Sequence, residues 1–296
     1  MQYTLLGKTG RKVSRIGFGG ATAGLTNYLQ PFDPVNDRDR QGVVEAIREA
    51  YRLGINYFDT AEGYGSGASE EIYAEGLRGI PREEIFLATK TGHSKNEDGQ
   101  RCIRKEADIL GSIERSLRRL ERDNIDLIQI HGSYYSEETA RLILEKGGVA
   151  DILEKAKAMG LVKYTGFSIE TQNTALDMLV SSRRFDIMQV QYNLMFQHPY
   201  EAGFKTGSIY QAREAGLGII VMRTLTSGLF QKWIRAVNPE NTFNYNPALL
   251  QYVLSNPLVD TALVGMRGAA EVRENAGVCD DLSGRLDLDA LHKRYV

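Results

Sequence analysis

Four side chains able to move or hold a proton stand at or just beyond the ends of strand-like runs. Residues 54–65, Gly-Ile-Asn-Tyr-Phe-Asp-Thr-Ala-Glu-Gly-Tyr-Gly, pass from a short buried strand, Ile55 to Phe58, into a glycine-punctuated loop that carries Asp59 and Tyr64. Lys90 closes the run Ile-Phe-Leu-Ala-Thr-Lys, and His131 closes Ile-Asp-Leu-Ile-Gln-Ile-His. A phenol is a poor acid at neutral pH, with an ordinary pKa near ~10, but an ammonium beside it stabilises the phenolate and lowers that value. Asp59 would hold Lys90 charged and aimed, Tyr64 would donate the proton, and His131 would hydrogen-bond a carbonyl oxygen. No Ser/His/Asp nucleophile is present and no metal ligands accompany His131, so the set suits carbonyl reduction if hydride comes from a bound cofactor. Taken singly, each member has a plainer reading. Asp59 or Thr60 can cap a turn, His131 can be structural, and Lys90 could form a Schiff base as in barrel aldolases.

Strand ends must be gathered at one place for that chemistry, and the rest of the chain supplies a fold that does so. After a hairpin, Tyr3 to Leu6 and Arg11 to Ser14 about Gly7-Lys-Thr-Gly10, the chain alternates strands and helices. The expected strands are Ile16 to Gly20, Ile55 to Phe58, Ile85 to Thr89, Ile125 to His131, Val162 to Phe167, Ile187 to Gln191, Gly218 to Met222 and Thr261 to Val264. The expected helices are Asp37 to Leu53, Ser69 to Leu77 with Ser69 as its cap, Lys105 to Glu121, Val149 to Met159, Thr174 to Val180, Ser208 to Ala215, Pro247 to Leu254 and Ala270 to Ala276. Eight such units, paired through right-handed crossovers, predict an α/β fold: a single (β/α)8 TIM barrel spanning residues 1–296. Four longer loops, 21–36, 91–104, 131–140 and 223–246, follow strands, the face on which such barrels build their sites.

Composition narrows the class. Of 296 residues, 42% are hydrophobic and 25% charged, as in a globular protein, and no run approaches the ~18 apolar residues of a membrane span. The first residues lack a signal-peptide pattern, which places the protein in the cytoplasm. A net charge of −2 argues against a nucleic-acid surface, and no membrane partner is expected. Cys102 and Cys279 are far apart and read as free thiols, with no metal framework. Gly63-Tyr-Gly-Ser-Gly67 and Gly17-Phe-Gly-Gly20 lack the spacing of a dinucleotide fingerprint.

The hairpin with Leu6-Gly7 and Lys8-Thr-Gly10, the strand Ile16-Gly-Phe-Gly-Gly, the segment Phe58-Asp-Thr-Ala-Glu-Gly-Tyr-Gly, the strand ending in Lys90 and Ile-Gln-Ile-His131 together resemble, in order, the motifs of the aldo-keto reductase superfamily. The resemblance covers essentially the whole chain and implies a barrel whose base is closed by the N-terminal β-hairpin. It implies an NAD(P)H-dependent oxidoreductase, preferring NADP with NAD possible, that acts on a small carbonyl or alcohol. Asp59, Tyr64, Lys90 and His131 would be its catalytic residues and Tyr64 its general acid. It also assigns Gly20 and Asp59 to the cofactor surface. Gly166-Phe-Ser168 and Met188-Gln189-Val-Gln-Tyr-Asn193 are similar to segments that hold the nicotinamide carboxamide through Ser168 and Gln189, with Ile169 where the family usually has asparagine. Val221-Met222-Arg223-Thr224-Leu225 resembles a subgroup with methionine, a basic residue and proline, Thr224 standing in the proline's place. Leu263-Val-Gly265-Met-Arg267 and Glu271-Val-Arg-Glu274-Asn275 resemble the segment around the adenosine end, where Arg267 would pair with the 2′-phosphate or stack on adenine. Two other readings stay open. The family includes regulatory barrels that bind cofactor and turn over slowly, and a Schiff-base aldolase or isomerase is a third choice, because a lysine beside a carboxylate is a poor nucleophile.

Overall fold

Period-two alternation along the strands explains the architecture. The computed structural model describes residues 1–92 and 105–293. Its strands are β1 (Tyr3–Leu5), β2 (Lys12–Ser14), β3 (Ile16–Gly19), β4 (Tyr57–Asp59), β5 (Phe86–Thr91), β6 (Ile125–Ile130), β7 (Val162–Ile169), β8 (Ile187–Gln191), β9 (Gly218–Met222) and β10 (Thr261–Gly265). β3 to β10 pair in parallel and close into a barrel, β10 returning to β3, while β1 and β2 form an antiparallel hairpin. All eight expected barrel strands are present, with ends moved by a residue or two.

Residues of one parity along these strands face the barrel axis and the others face the helices. Inward, Tyr57, Phe86, Ala88, Leu127, Ile187 and Ile220 form an apolar cluster, with Leu6 and Val13 of the hairpin segment packed beneath them. Outward, Phe58, Leu87, Ile128, Met188 and Ile219 join a second, larger core with the helices. The hairpin comes so close to β9 that a Cβ on Gly7, whose φ is +48°, would fall 2.2 Å from the Gly218 nitrogen. Moving up the axis, the inward series turns polar. Asp59, Lys90, Gln129, Ser168 and Gln189, all buried, form its upper layer.

The helices are α1 (Ala21–Gly24), α2 (Asp37–Arg52), α3 (Ala68–Gly76), α4 (Glu106–Arg119), α5 (Glu137–Leu144), α6 (Val149–Ala158), α7 (Thr174–Ser181), α8 (Ser208–Glu214), α9 (Leu229–Val237), α10 (Asn246–Leu254), α11 (Ala269–Asp280) and α12 (Leu288–Lys293). α2 starts where Asn36 accepts from the Arg38 and Asp39 amides and stops before Gly54, at φ +87°. Three expected loops carry short helices: α1 in 21–36, α5 beginning within 131–140 and capped by Ser136, and α9 in 223–246. The loop 91–104 lies outside the described residues beyond Gly92, as does Cys102. Cys279 is a buried free thiol. Ser69 does not cap α3. The capping position is Gly67 at φ +104°, and the Ser69 hydroxyl instead bonds the Gly20 carbonyl at 2.9 Å and Thr60 Oγ1 at 2.8 Å. No helix among the described residues is long and apolar enough to cross a membrane.

Candidate active site

Neighbouring strands bring the four expected residues to one mouth of the barrel. Asp59 ends β4 and Lys90 lies on β5, and Lys90 Nζ donates to Asp59 Oδ1 at 2.5 Å and to the Thr60 carbonyl at 2.9 Å. His131 follows β6 directly, its backbone amide bonded to the Thr91 carbonyl at 2.8 Å. Tyr64 reaches in from the loop after β4. Its ring centroid lies 5.0 Å from Lys90 Nζ and 5.4 Å, edge to face, from the His131 ring. All four line a cavity of about 330 Å³.

The loop is held where Tyr64 can reach. The Tyr64 amide donates to the Ala61 carbonyl at 3.0 Å, and its carbonyl accepts from the Ser69 amide at 3.2 Å. On one side α1 packs so tightly that a Cβ on Gly24 would sit 2.4 Å from the Tyr64 carbonyl oxygen. On the other, Glu62 accepts from Ser112 at 2.6 Å and from Arg115 at 2.9 Å, both on α4, and pairs with Arg119 at 3.3 Å. Neither Gly24 nor Glu62 was expected. Both act through backbone approach or a distant helix, which sequence order does not show.

Burial raises the Asp59 carboxyl above the ordinary value, against the opposing pull of Lys90 and Gln129. Burial pulls the Lys90 ammonium down, but Asp59 and Tyr64 outweigh it and leave its pKa raised, so the lysine is charged. For Tyr64 the expected direction is corrected. Burial raises the phenol and wins over Lys90, whose charge and hydrogen bond only limit the rise. Withdrawing water from the anion costs more here than one ammonium returns. The phenol therefore keeps its proton at neutral pH, as a donor must.

The cofactor set divides in two. Gly20, Ser168, Gln189, Met222, Arg223, Thr224, Leu225 and Gly265 line the same cavity. A Cβ on Gly20 would lie 2.7 Å from the Asp59 carbonyl oxygen, so the close β3 to β4 exit requires glycine. Ser168 Oγ accepts from the Gly132 amide and donates to its carbonyl, each at 3.1 Å. Arg223, at φ +58°, pairs with Glu170 at 2.8 Å, and Thr224 donates to the Leu263 carbonyl at 2.7 Å. Ile169 packs in the outer core and takes no part in the lining. Arg267, Glu271, Glu274 and Asn275 are not among the lining residues. The Arg267 guanidinium donates to the carbonyls of Thr22 at 2.8 Å, Tyr28 at 2.9 Å and Gln30 at 3.3 Å, and lies 4.2 Å over the Phe32 ring. It holds the segment after β3. Glu271 accepts from the Arg267 amide at 2.6 Å, Glu274 accepts from Asn244 at 2.6 Å, and Asn275 donates to the Glu271 carbonyl at 2.8 Å. Gln129 was missed, although it stands two residues before His131 and strand alternation alone places the two on one face.

A closed eightfold barrel with a buried lysine-carboxylate pair beside a tyrosine and a histidine at its C-terminal mouth defines a barrel oxidoreductase of the aldo-keto type. The Aldo/keto reductase family profile matches residues 15–249, and the chain belongs to this family. It is 30% identical to L-galactose dehydrogenase of Arabidopsis thaliana over 95% of this chain and 89% of that protein. In structure it is similar to an aldo-keto reductase from Bacillus halodurans in its holo form, with a TM-score of 0.74, 24% identity and coverage of 99% and 95% of the two chains. It is likewise similar to an aldo/keto reductase from Klebsiella pneumoniae in complex with NADP and acetate, with a TM-score of 0.68, 23% identity and coverage of 99% and 94%.

Proposed function

We propose that this protein interconverts an aldehyde or ketone and its alcohol, with a nicotinamide dinucleotide as the hydride carrier and Tyr64 as the proton donor and acceptor. The observation that carries the reading is the buried Lys90, bonded to Asp59 at 2.5 Å and 5.0 Å from the Tyr64 ring. The bound nicotinamide supplies hydride. The chain's own residues do the rest. Tyr64 gives its proton to the oxygen as charge develops there, Lys90 stabilises the phenolate left behind, Asp59 keeps Lys90 charged, and His131 lends a hydrogen bond to the same oxygen. The wall fits a carboxamide: Gln189 Nε2 is buried with only the Met222 thioether, at 3.5 Å, as its partner among the described residues. NADP stands first as the cofactor, on the family resemblance and on the NADP complex of the Klebsiella pneumoniae protein. Arg267 does not add to that preference, because its guanidinium is committed to three carbonyls and a ring. The aldolase reading loses support, since a lysine held as ammonium has no lone pair for a Schiff base.

The test is turnover of the wild-type protein with NADPH and NADH against a panel of small aldehydes, ketones and aldoses. Aldoses belong in the panel because L-galactose dehydrogenase of Arabidopsis thaliana is a relative. The expected result is many turnovers per protein with at least one carbonyl. Tight cofactor binding with no turnover on any substrate would favour the regulatory reading instead.

A further inference from the structure

The residues of β5 that face the helices are Leu87, Thr89 and Thr91, and the last two stand where the upper ends of β6, β7 and β8 carry the apolar Ile130, Ile169 and Val190. Both hydroxyls are buried, and so are the two carboxylates they lead to, Glu70 and Glu62. Thr89 Oγ1 donates to Glu70 Oε1 at 2.6 Å, Arg119 Nε donates to Glu70 Oε2 at 2.6 Å, and the same guanidinium lies 3.3 Å from Glu62 Oε1. Thr91 Oγ1 is 2.9 Å from Ser112 Oγ, which is 2.6 Å from Glu62 Oε2. A carboxylate accepts hydrogen bonds and gives none, so Ser112 gives its one proton to Glu62 and can only accept from Thr91. The chain of bonds therefore runs one way, from the end of β5 through α4 to the loop after β4. Burying hydroxyls and a carboxylate costs stability where valine and alanine would fill the space, and a buried ion pair is weak evidence of a gain, so packing alone does not account for the set.

The two ends of that chain adjoin the groups that must meet at one substrate oxygen. Glu62 stands two residues before Tyr64, Thr91 directly follows Lys90, and the Thr91 carbonyl accepts from the His131 amide at 2.8 Å. We propose that Thr91, Ser112 and Glu62 form a hydrogen-bond relay that positions Tyr64 against Lys90 and His131, with Thr91 and Ser112 as positioning residues for the proton transfer. This rests on the function proposed above. None of the three lines the cavity, so they act through the groups beside them. Thr91 carries Lys90 and the His131 backbone, Glu62 carries the phenol, and Ser112 on the helix between them sets the spacing. A misplacement of ~1 Å between a donor and its target can lower a rate ~100-fold, so bonds outside the cavity are readable in the rate.

The experiment follows single-turnover oxidation of NADPH, or of NADH where wild type binds it more tightly, with the carbonyl of the panel that wild type reduces fastest. Rate, amplitude and cofactor affinity are measured on the same samples. A structural loss removes active protein and so amplitude, whereas a misplaced donor slows the protein that remains. Thr91→Val keeps the side-chain shape and lacks the donor, and Ser112→Ala cuts the relay at its middle. Each should lower the rate about tenfold or more at nearly full amplitude and nearly unchanged cofactor affinity. Thr91→Ser restores the hydroxyl and should return the rate to within about threefold of wild type. The double variant Thr91→Val, Ser112→Ala should lose little more than the slower single variant, because both act through one relay. Should one single variant not fold, the other decides alone. Wild-type rates in the folded single variants, a Thr91→Ser as slow as Thr91→Val, or losses that multiply in the double variant would each overturn the relay and leave the functional reading in place. A wild type that reduces no carbonyl would sink the functional reading itself, and this one with it.

Discussion

In the proposed function Lys90 matters as much as Tyr64, because its position decides how far burial can raise the phenol. The pair Asp59 and Lys90 is almost wholly removed from water, and breaking such a pair by removing one partner leaves a buried charge behind. Lys90→Met does this to Asp59 and also removes the cation that lowers the Tyr64 pKa. The groups that face the phenol are Lys90, Asp59, Tyr28 and His131, and of these the lysine supplies the largest lowering influence. If Tyr64 accepts the proton in alcohol oxidation, as proposed, the rate should rise with pH as phenolate forms, and in Lys90→Met that rise should move to higher pH. Turnover should fall by ~100-fold or more with cofactor affinity changed little. A pH profile at the wild-type position would mean that Lys90 does not set the phenol.

At the scale of elements, the mouth depends on two clamps that hold loops against helices. The first is Glu62, in the loop after β4, which grips Ser112 and Arg115 of α4. Burial raises its carboxyl, but the bonds from Ser112 and Arg115 and the charges of Arg115 and Arg119 outweigh this and leave its pKa lowered. A carboxyl lowered by folding contributes stability above its unfolded value, 4.5, and loses it as pH falls through the folded value. Glu62→Gln should therefore cost about 1–3 kcal/mol at neutral pH in urea unfolding, and the gap to wild type should close on acidification. A gap that holds or widens below the unfolded value would show that Glu62 does not clamp as a carboxylate. The second clamp is Arg267, which ties the segment after β3 to the start of α11 through the Thr22, Tyr28 and Gln30 carbonyls. Arg267→Ala should loosen that segment, speeding proteolysis within residues 21–36, and weaken NADPH and NADH by similar factors. A loss confined to NADPH would return the arginine to the 2′-phosphate.

Across the whole molecule, what was legible in the sequence follows from how far each signal reaches along the chain. Strand alternation and helix spacing are local, so the eight units and the barrel could be read directly, and strand ends such as Asp59, Lys90 and His131 pointed to one mouth. Ser69 misled because a serine before glutamates resembles a cap, whereas a contact 49 residues away, with Gly20, uses its hydroxyl. The direction of the Tyr64 pKa was not legible either, since burial is set by α1 and the mouth loops together. Gln129 is legible by parity, yet an amide between two apolar residues resembles core. The central claim is that this whole arrangement of apolar floor, polar layer and clamped loops serves one phenol. The measurement that tests it most directly is single-turnover NADPH oxidation by Tyr64→Phe beside wild type, with cofactor affinity measured on the same samples. A rate lower by ~100- to 10,000-fold at nearly unchanged affinity is the result the structure predicts, and retention of more than about a tenth of the wild-type rate would contradict it.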